Sequence, residues 1–241
     1  MIDPSINIDP QELAKFESQA SRWWDPSGEF RTLHDINPVR LRYIEERAGL
    51  SGKQVIDVGC GGGILAEAMA ARRATVTGID ASEAALKVAQ LHQLKSGVEV
   101  AYVCATPEQF AEDYPARYDI VTCMELLEHV PRPVSVIQAC TRLAKPGGHL
   151  FFSTINRTAL AYLLAVIGAE YLLNLLPKGT HSYSRFIRPS ELAGWARGAG
   201  LTVTEITGMS YNPFTRRCAL THQVDVNYLI HARCNGEASA E

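Results

Sequence analysis

Gln54-Val-Ile-Asp57-Val-Gly59-Cys60-Gly61-Gly62-Gly63 is the stretch that decides the fold. A short apolar run, long enough for a buried strand, ends where four of five positions are glycine, and residues 64–72 then read as a helix. A strand that turns through glycine into a helix is the unit from which helix-covered parallel sheets are built. The alternation continues downstream. Strands are expected at residues 75–80, 98–104, 118–124 and 149–155. Between them lie helices from the Ser82 cap to about Lys95 (stopped by Gly97), at 107–111 and at 135–143. Upstream, two helices are expected: 11–24, capped by Asp9 with Pro10 at its first position, and 38–47, capped by Asn37. Downstream, a helix at 189–198 precedes strands at 201–208 and 226–231, the last returning antiparallel past an irregular stretch at 211–218. The expectation is an α/β, doubly wound, mostly parallel seven-stranded Rossmann-like sheet.

The composition fits this reading. The 241 residues are 46% hydrophobic and 20% charged, the balance of a soluble globular protein. A formal charge of −3 argues against nucleic acid as a partner. The six cysteines form no CxxC pair, which suits a reducing compartment, and residues 1–10 lack the basic flank and apolar run of a secretory signal. One domain over residues 1–241 is expected, with an N-terminal helical part (9–48), a ligand-binding core (53–155), a hydrophobic insertion (156–188) and a C-terminal helix and strands (189–234).

Glycines at the end of a strand let a ligand approach backbone with no Cβ in the way. Asp80 ends the next strand, where a carboxylate can take both hydroxyls of a ribose. A dinucleotide fingerprint would need its third glycine at position 64, which is Ile64, and a phosphate loop would need Lys-Ser/Thr after Gly63. A ligand with a ribose and no phosphate fits better, and S-adenosyl-L-methionine is such a ligand. The alternative is a plain turn, for which four glycines are more than needed.

Asp57-Val-Gly-Cys-Gly-Gly-Gly63 with Gly78-Ile-Asp80 resembles the class I S-adenosylmethionine-dependent methyltransferases over residues 53–155. Further segments extend the likeness to nearly the whole chain: Lys15-Phe-Glu17, Ala20-Ser-Arg-Trp-Trp-Asp25, Gly28-Glu-Phe30, Leu33-His34, Ile36-Asn-Pro-Val-Arg40, Thr122-Cys-Met-Glu125, Leu127-Glu-His-Val-Pro131, Phe152-Ser-Thr154, Gly168-Ala-Glu-Tyr171, Pro177-Lys-Gly-Thr-His181 and Val224-Asp-Val-Asn-Tyr228. Together they resemble the O-methyltransferase family of ubiquinone biosynthesis. The resemblance implies methylation of phenolic oxygens on polyprenylated catechols, at two steps: a 2-polyprenyl-6-hydroxyphenol and a 3-demethylubiquinol. It implies a cytoplasmic enzyme peripheral to the inner face of the membrane, with other ubiquinone-biosynthesis proteins as partners. It also implies cofactor contacts at Arg40, Gly59, Gly61, Asp80 and Met124. Arg40 could pair with the methionine carboxylate, or be an ordinary surface arginine. Met124 could offer a backbone group and an apolar wall, or only fill core. Many class I enzymes carry an acid after the third strand to meet adenine. Here Cys104-Ala-Thr106 stands there, so backbone groups or Thr106 are expected to serve.

Glu125, Glu128 and His129 follow the fourth strand at spacing i, i+3, i+4, which brings side chains together on a helical turn. Two carboxylates and an imidazole can ligate Mg²⁺ or Zn²⁺, and Mg²⁺ would acidify a catechol hydroxyl and orient both oxygens. The same residues could supply a metal-free general base, or could simply be solvated. Residues 158–176 hold 15 apolar residues of 19 with one charge, Glu170, and residues 177–217 carry a net charge of +4. That pairing suits reversible contact with an anionic membrane surface, a lid over a greasy substrate, or a buried helix. Glu170, Asn174 and Gly168 argue against a membrane span. Trp23 and Trp24, adjacent, cannot both face one core, so one is expected over the pocket, at lipid, or in plain packing. Asn212-Pro-Phe214 is expected to be a turn.

Overall fold

The computed structural model describes residues 7–162 and 183–235. Eight strands form one sheet: β1 (Gln54–Val58), β2 (Thr75–Asp80), β3 (Val100–Cys104), β4 (Tyr118–Met124), β5 (Ala144–Ile155), β6 (Leu201–Asn212), β7 (Arg217–Thr221) and β8 (Asn227–Cys234). Their order is β3-β2-β1-β4-β5-β8-β6-β7. β3 through β5 run parallel, and β8 inserts antiparallel between β5 and β6. The strand order reverses between β1 and β4, so a crevice opens outside the carboxyl ends of those strands.

Helices α1 (Pro10–Gln19), α2 (Arg31–Ala48), α3 (Ile64–Ala70), α4 (Glu83–Ser96), α5 (Pro107–Asp113), α6 (Pro133–Leu143) and α7 (Pro189–Gly198) connect or flank the strands. Neighbouring strand residues point to opposite faces. Ile56 and Phe152 accordingly join an apolar cluster with Val136, Ile137 and Leu192, while Val55 and Phe151 join the opposite one with Tyr43, Ile44 and Met69. All six cysteines are free thiols.

The structure corrects the sequence reading in four places. The sheet has eight strands, because the 211–218 stretch is the end of β6, a turn and the start of β7, paired from Gly208↔Thr221 to Asn212↔Arg217. Helix α2 starts at Arg31, with Pro38 in its interior and not at its start. An interior proline costs about 3 kcal/mol by losing a backbone hydrogen bond. The buried face of Ile36, Val39, Leu41, Tyr43 and Ile44 outweighs that, at about 1.5–3 kcal/mol per large side chain. Asn37 is therefore no cap; its Nδ2 donates to the Ile64 carbonyl at 3.2 Å. The N-terminal arm, expected to be loose through residue 10, is anchored at Asn7, which is buried and bonds Glu108 and both the N–H and carbonyl of Arg132. Asp9 does cap α1, accepting from Gln11 N–H at 2.9 Å. Most of the apolar 158–176 stretch lies outside the described residues, and among those described no helix is long and apolar enough to cross a membrane.

Candidate active site

A cavity of about 910 Å³ opens at the carboxyl ends of β1 to β4 and runs on beneath α1 to β6 and β7. Arg40, Gly59, Gly61, Asp80 and Met124 all line it, so the residues expected to touch the cofactor share one cavity. Gly59, Gly61 and Gly63 have φ of +73°, +53° and +87°, the left-handed region that side chains resist. A Cβ on Gly61 would lie 2.1 Å from the Trp23 ring, and one on Gly62 2.3 Å from it. The bare backbone therefore accommodates an indole as well as shaping the cavity floor. Trp23 is buried, stacks on Phe30 at 4.1 Å and lines the cavity. Trp24 takes a different role: its Nε1–H donates to the Gly62 carbonyl at 2.8 Å while its ring stacks on His92 at 3.3 Å.

Asp80 is oriented by the chain itself. Its Oδ2 accepts from Gly61 N–H and its Oδ1 from Ser82 N–H, each at 2.8 Å. Burial pushes its carboxyl up, and those N–H groups pull the other way. Each oxygen keeps lone-pair capacity for ribose hydroxyls. Asp57, one strand away, is buried, accepts from Thr122 Oγ1–H at 2.6 Å, and is pushed by burial to a pKa of about 7. The sequence reading quoted Asp57 in the glycine motif without a role. Its signal is a carboxylate inside an otherwise apolar strand.

Arg40 is not a surface arginine. It is 5% exposed, and its Nη2–H donates to Glu125 Oε1 at 2.5 Å, an oxygen that also accepts from Ser153 Oγ–H at 2.7 Å. Arg40 Nε is buried, with no hydrogen-bond partner among the described residues. Thr106 is committed elsewhere: its hydroxyl accepts from Gln109 N–H at 3.3 Å while its own N–H donates to Gln109 Oε1, forming the N-terminal capping box of α5, and the hydroxyl also donates to that Oε1 at 3.1 Å. It lines the cavity without a free hydroxyl hydrogen.

The acidic cluster converges only in part: the Glu125 and Glu128 carboxyls are neighbours, whereas His129 turns away from them. Leu127–His129 is a single 3-10 turn, and Glu125 just before it has a left-handed φ of +54°. Glu125 turns to Arg40 and Ser153. Glu128 is buried and accepts from Thr154 Oγ1–H at 2.8 Å. His129 Nδ1 faces Glu12 Oε2 of α1 at 2.8 Å, with Phe16 edge-on to its ring at 5.0 Å. Burial, reinforced by the neighbouring Glu125 charge, pushes the Glu128 carboxyl well above the usual range. Among the described residues no group of three His, Cys, Asp or Glu is placed to hold a metal ion. With His129 turned to α1, the three residues do not form the donor set expected for Mg²⁺.

The methyltransferase-domain family profile matches residues 32–206. The chain is 63% identical to a ubiquinone biosynthesis O-methyltransferase of Pseudomonas savastanoi pv. phaseolicola over 93% of its length and 97% of the relative's. It is 61% identical to a protein of that name from Pseudomonas aeruginosa, over 94% and 98%. The chain belongs to the ubiquinone biosynthesis O-methyltransferase family. Among solved structures, the magnesium protoporphyrin IX methyltransferase of Synechocystis with bound S-adenosylhomocysteine aligns at a TM-score of 0.65 and 20% identity, over 92% and 93% of the two chains. That likeness shares the fold of this family. The family's glycine loop and Asp80 wall are thus the parts most legible in sequence. Of the two adjacent tryptophans, one of which was expected over the pocket, Trp23 is the one that lines it, while Ser153 and Thr154 were missed because their roles depend on contacts across the chain.

Proposed function

We propose that the protein transfers a methyl group from S-adenosyl-L-methionine to a phenolic oxygen of polyprenylated catechols in ubiquinone biosynthesis, at both the 6-hydroxyphenol and the demethylubiquinol. Family membership supports the reaction class. The observation that carries the site assignment is one continuous cavity, with the Gly59–Gly61 loop and Asp80 at one side and apolar walls reaching to β6 and β7 at the other. Such a cavity can hold donor and acceptor together, and holding them in line is the main contribution a protein makes to this displacement.

When bound, S-adenosylmethionine supplies an electrophilic methyl. The residues present fit it: Asp80 is preset by Gly61 and Ser82 to take ribose hydroxyls, and Arg40 keeps a buried Nε–H, unpartnered among the described residues, that suits a carboxylate. Met124 gives an apolar wall. Glu125, on the cavity wall and steadied by Arg40 and Ser153, is the carboxylate we assign to accept the phenol proton. The +4 segment beside the apolar insertion supports reversible contact with an anionic membrane, where a prenylated substrate resides.

The test is incubation of purified protein with labelled S-adenosylmethionine and a panel of prenylated and unprenylated catechols, with mass spectrometry of the products. One methyl per S-adenosylhomocysteine on a catechol oxygen is expected. Binding of S-adenosylmethionine without transfer to any member would overturn the reading in favour of a non-catalytic binder. For the membrane contact, co-sedimentation with anionic vesicles at low salt should fall when residues 160–176 are removed.

A further inference from the structure

The β6–β7 turn presents Phe214 to solvent, 83% exposed, and yet Phe214 also forms part of the cavity wall. A side chain that does both stands at the mouth. Leu160, 45% exposed and likewise on the cavity wall, stands at the mouth from the far end of β5. Exposed phenylalanine is unfavourable for the free protein, since its burial is worth about 1.5–3 kcal/mol. The turn is nevertheless built to hold Phe214 where it is.

Three devices fix it. Asn212 Oδ1 accepts from both Phe214 N–H and Thr215 N–H at 3.0 Å, closing the four-residue connection between Asn212 and Arg217 on itself. Arg216 adopts a left-handed φ of +54°. From there its guanidinium reaches Asp35 of α2, with Nη2–H to Oδ1 at 2.7 Å and Nε–H to Oδ2 at 3.0 Å. Tyr211 donates its hydroxyl to Asp35 Oδ2 at 2.7 Å. Burial opposes the Asp35 charge, but Arg216 and Tyr211 outweigh it and hold the carboxyl below its ordinary range. The hairpin tip is thus tied on both sides to the helix that carries Arg40.

We infer that Phe214 is a specificity-determining residue, which packs on the prenyl tail where it leaves the cavity and so favours tailed over tailless catechols. The inference rests on the proposed function. With its backbone fixed by the turn, Phe214 offers an isoprenoid chain a large apolar surface with only two side-chain torsions to order. A phenol without a tail gains nothing from it.

The experiment compares kcat/KM for a geranyl catechol and for unsubstituted catechol in wild type, Phe214→Ser and Phe214→Leu. The ratio of the two should fall about tenfold in Phe214→Ser, in keeping with the loss of one apolar contact. Phe214→Leu should restore most of it, and KM for the geranyl substrate should carry more of the change than kcat. A ratio unchanged in Phe214→Ser, or a loss equal on both substrates, overturns the inference while leaving the function standing. A wild type inert toward every catechol overturns the function, and the inference with it.

Discussion

Asp57 is buried at the end of β1 with a pKa near 7, against an ordinary value of 3.8. Between about pH 4 and pH 7 the folded chain therefore holds a proton at this site that the unfolded chain releases. Unfolding free energy must then fall as pH rises through that window. Asp57→Asn keeps an acceptor for Thr122 and removes the titration. It should be more stable than wild type at pH 7–8, by at most about 4 kcal/mol, with the difference vanishing toward pH 4. Urea unfolding at several pH values measures this, and parallel profiles for the two proteins would exclude it. Arg40 makes a second residue-scale test. Arg40→Met leaves Glu125 without its cation and takes a donor from the cofactor wall. It should lose about 3 kcal/mol of stability and weaken S-adenosylmethionine binding at least tenfold by calorimetry. Glu125→Gln retains acceptor geometry toward Ser153. It should lower kcat about a hundredfold with little change in cofactor affinity, and a kcat within twofold of wild type would remove Glu125 from the proton path.

At the level of elements, Thr106 shows why the residue after β3 misleads when read alone. In sequence it looks like a hydroxyl offered to adenine, whereas in the fold it caps α5 together with Gln109. Thr106→Ala should cost about 1 kcal/mol, read as a shift in the chemical denaturation midpoint, with cofactor affinity changed far less than by Arg40→Met. The strands from β1 to β5 were legible because each is a short apolar run between glycine, proline or capping residues. Asp80 and the glycine loop were legible because their chemistry is local. The start of α2 was not, since Pro38 looks like a helix opening until Tyr43 and Ile44 are seen buried against the sheet. β7 was hidden for another reason: Arg217–Thr221 has no apolar alternation and is defined by its pairing with β6. Glu125, Glu128 and His129 share a spacing that converges fully only on a helical turn, and the left-handed φ at Glu125 with the single 3-10 turn after it leaves the two carboxyls adjacent and turns His129 to Glu12.

Seen as a whole, the molecule joins two kinds of wall around one cavity. The parallel half supplies the glycine loop, Asp80 and Met124, α1 and α2 add residues such as Phe16 and Arg40, and the antiparallel strands supply the far side. α1 has no fully buried residue and is held by polar ties, Glu12 to His129 and Asp9 to Arg185. Burial resists the Glu12 charge, but His129 and Lys15 hold its pKa down at about 2. A ligand filling the cavity should therefore add cohesion across both halves. S-adenosylhomocysteine at a hundredfold excess over its Kd should contribute about 2.7 kcal/mol, and so raise the melting temperature by roughly 5–10 °C. A pyridine dinucleotide at the same concentration should leave it unmoved.

The insertion of β8 between β5 and β6 has a consequence for the chain during its own synthesis. β5 ends at residue 155, and its neighbour on that side begins at residue 227, 72 residues later. At about 5–20 residues per second, the ribosome leaves the Phe151 and Phe152 ribbon unzipped for roughly 4–14 s. Nascent chains stalled in that interval should be captured by holdase chaperones and cut readily by protease, and release from both should come only once residue 234 has cleared the exit tunnel.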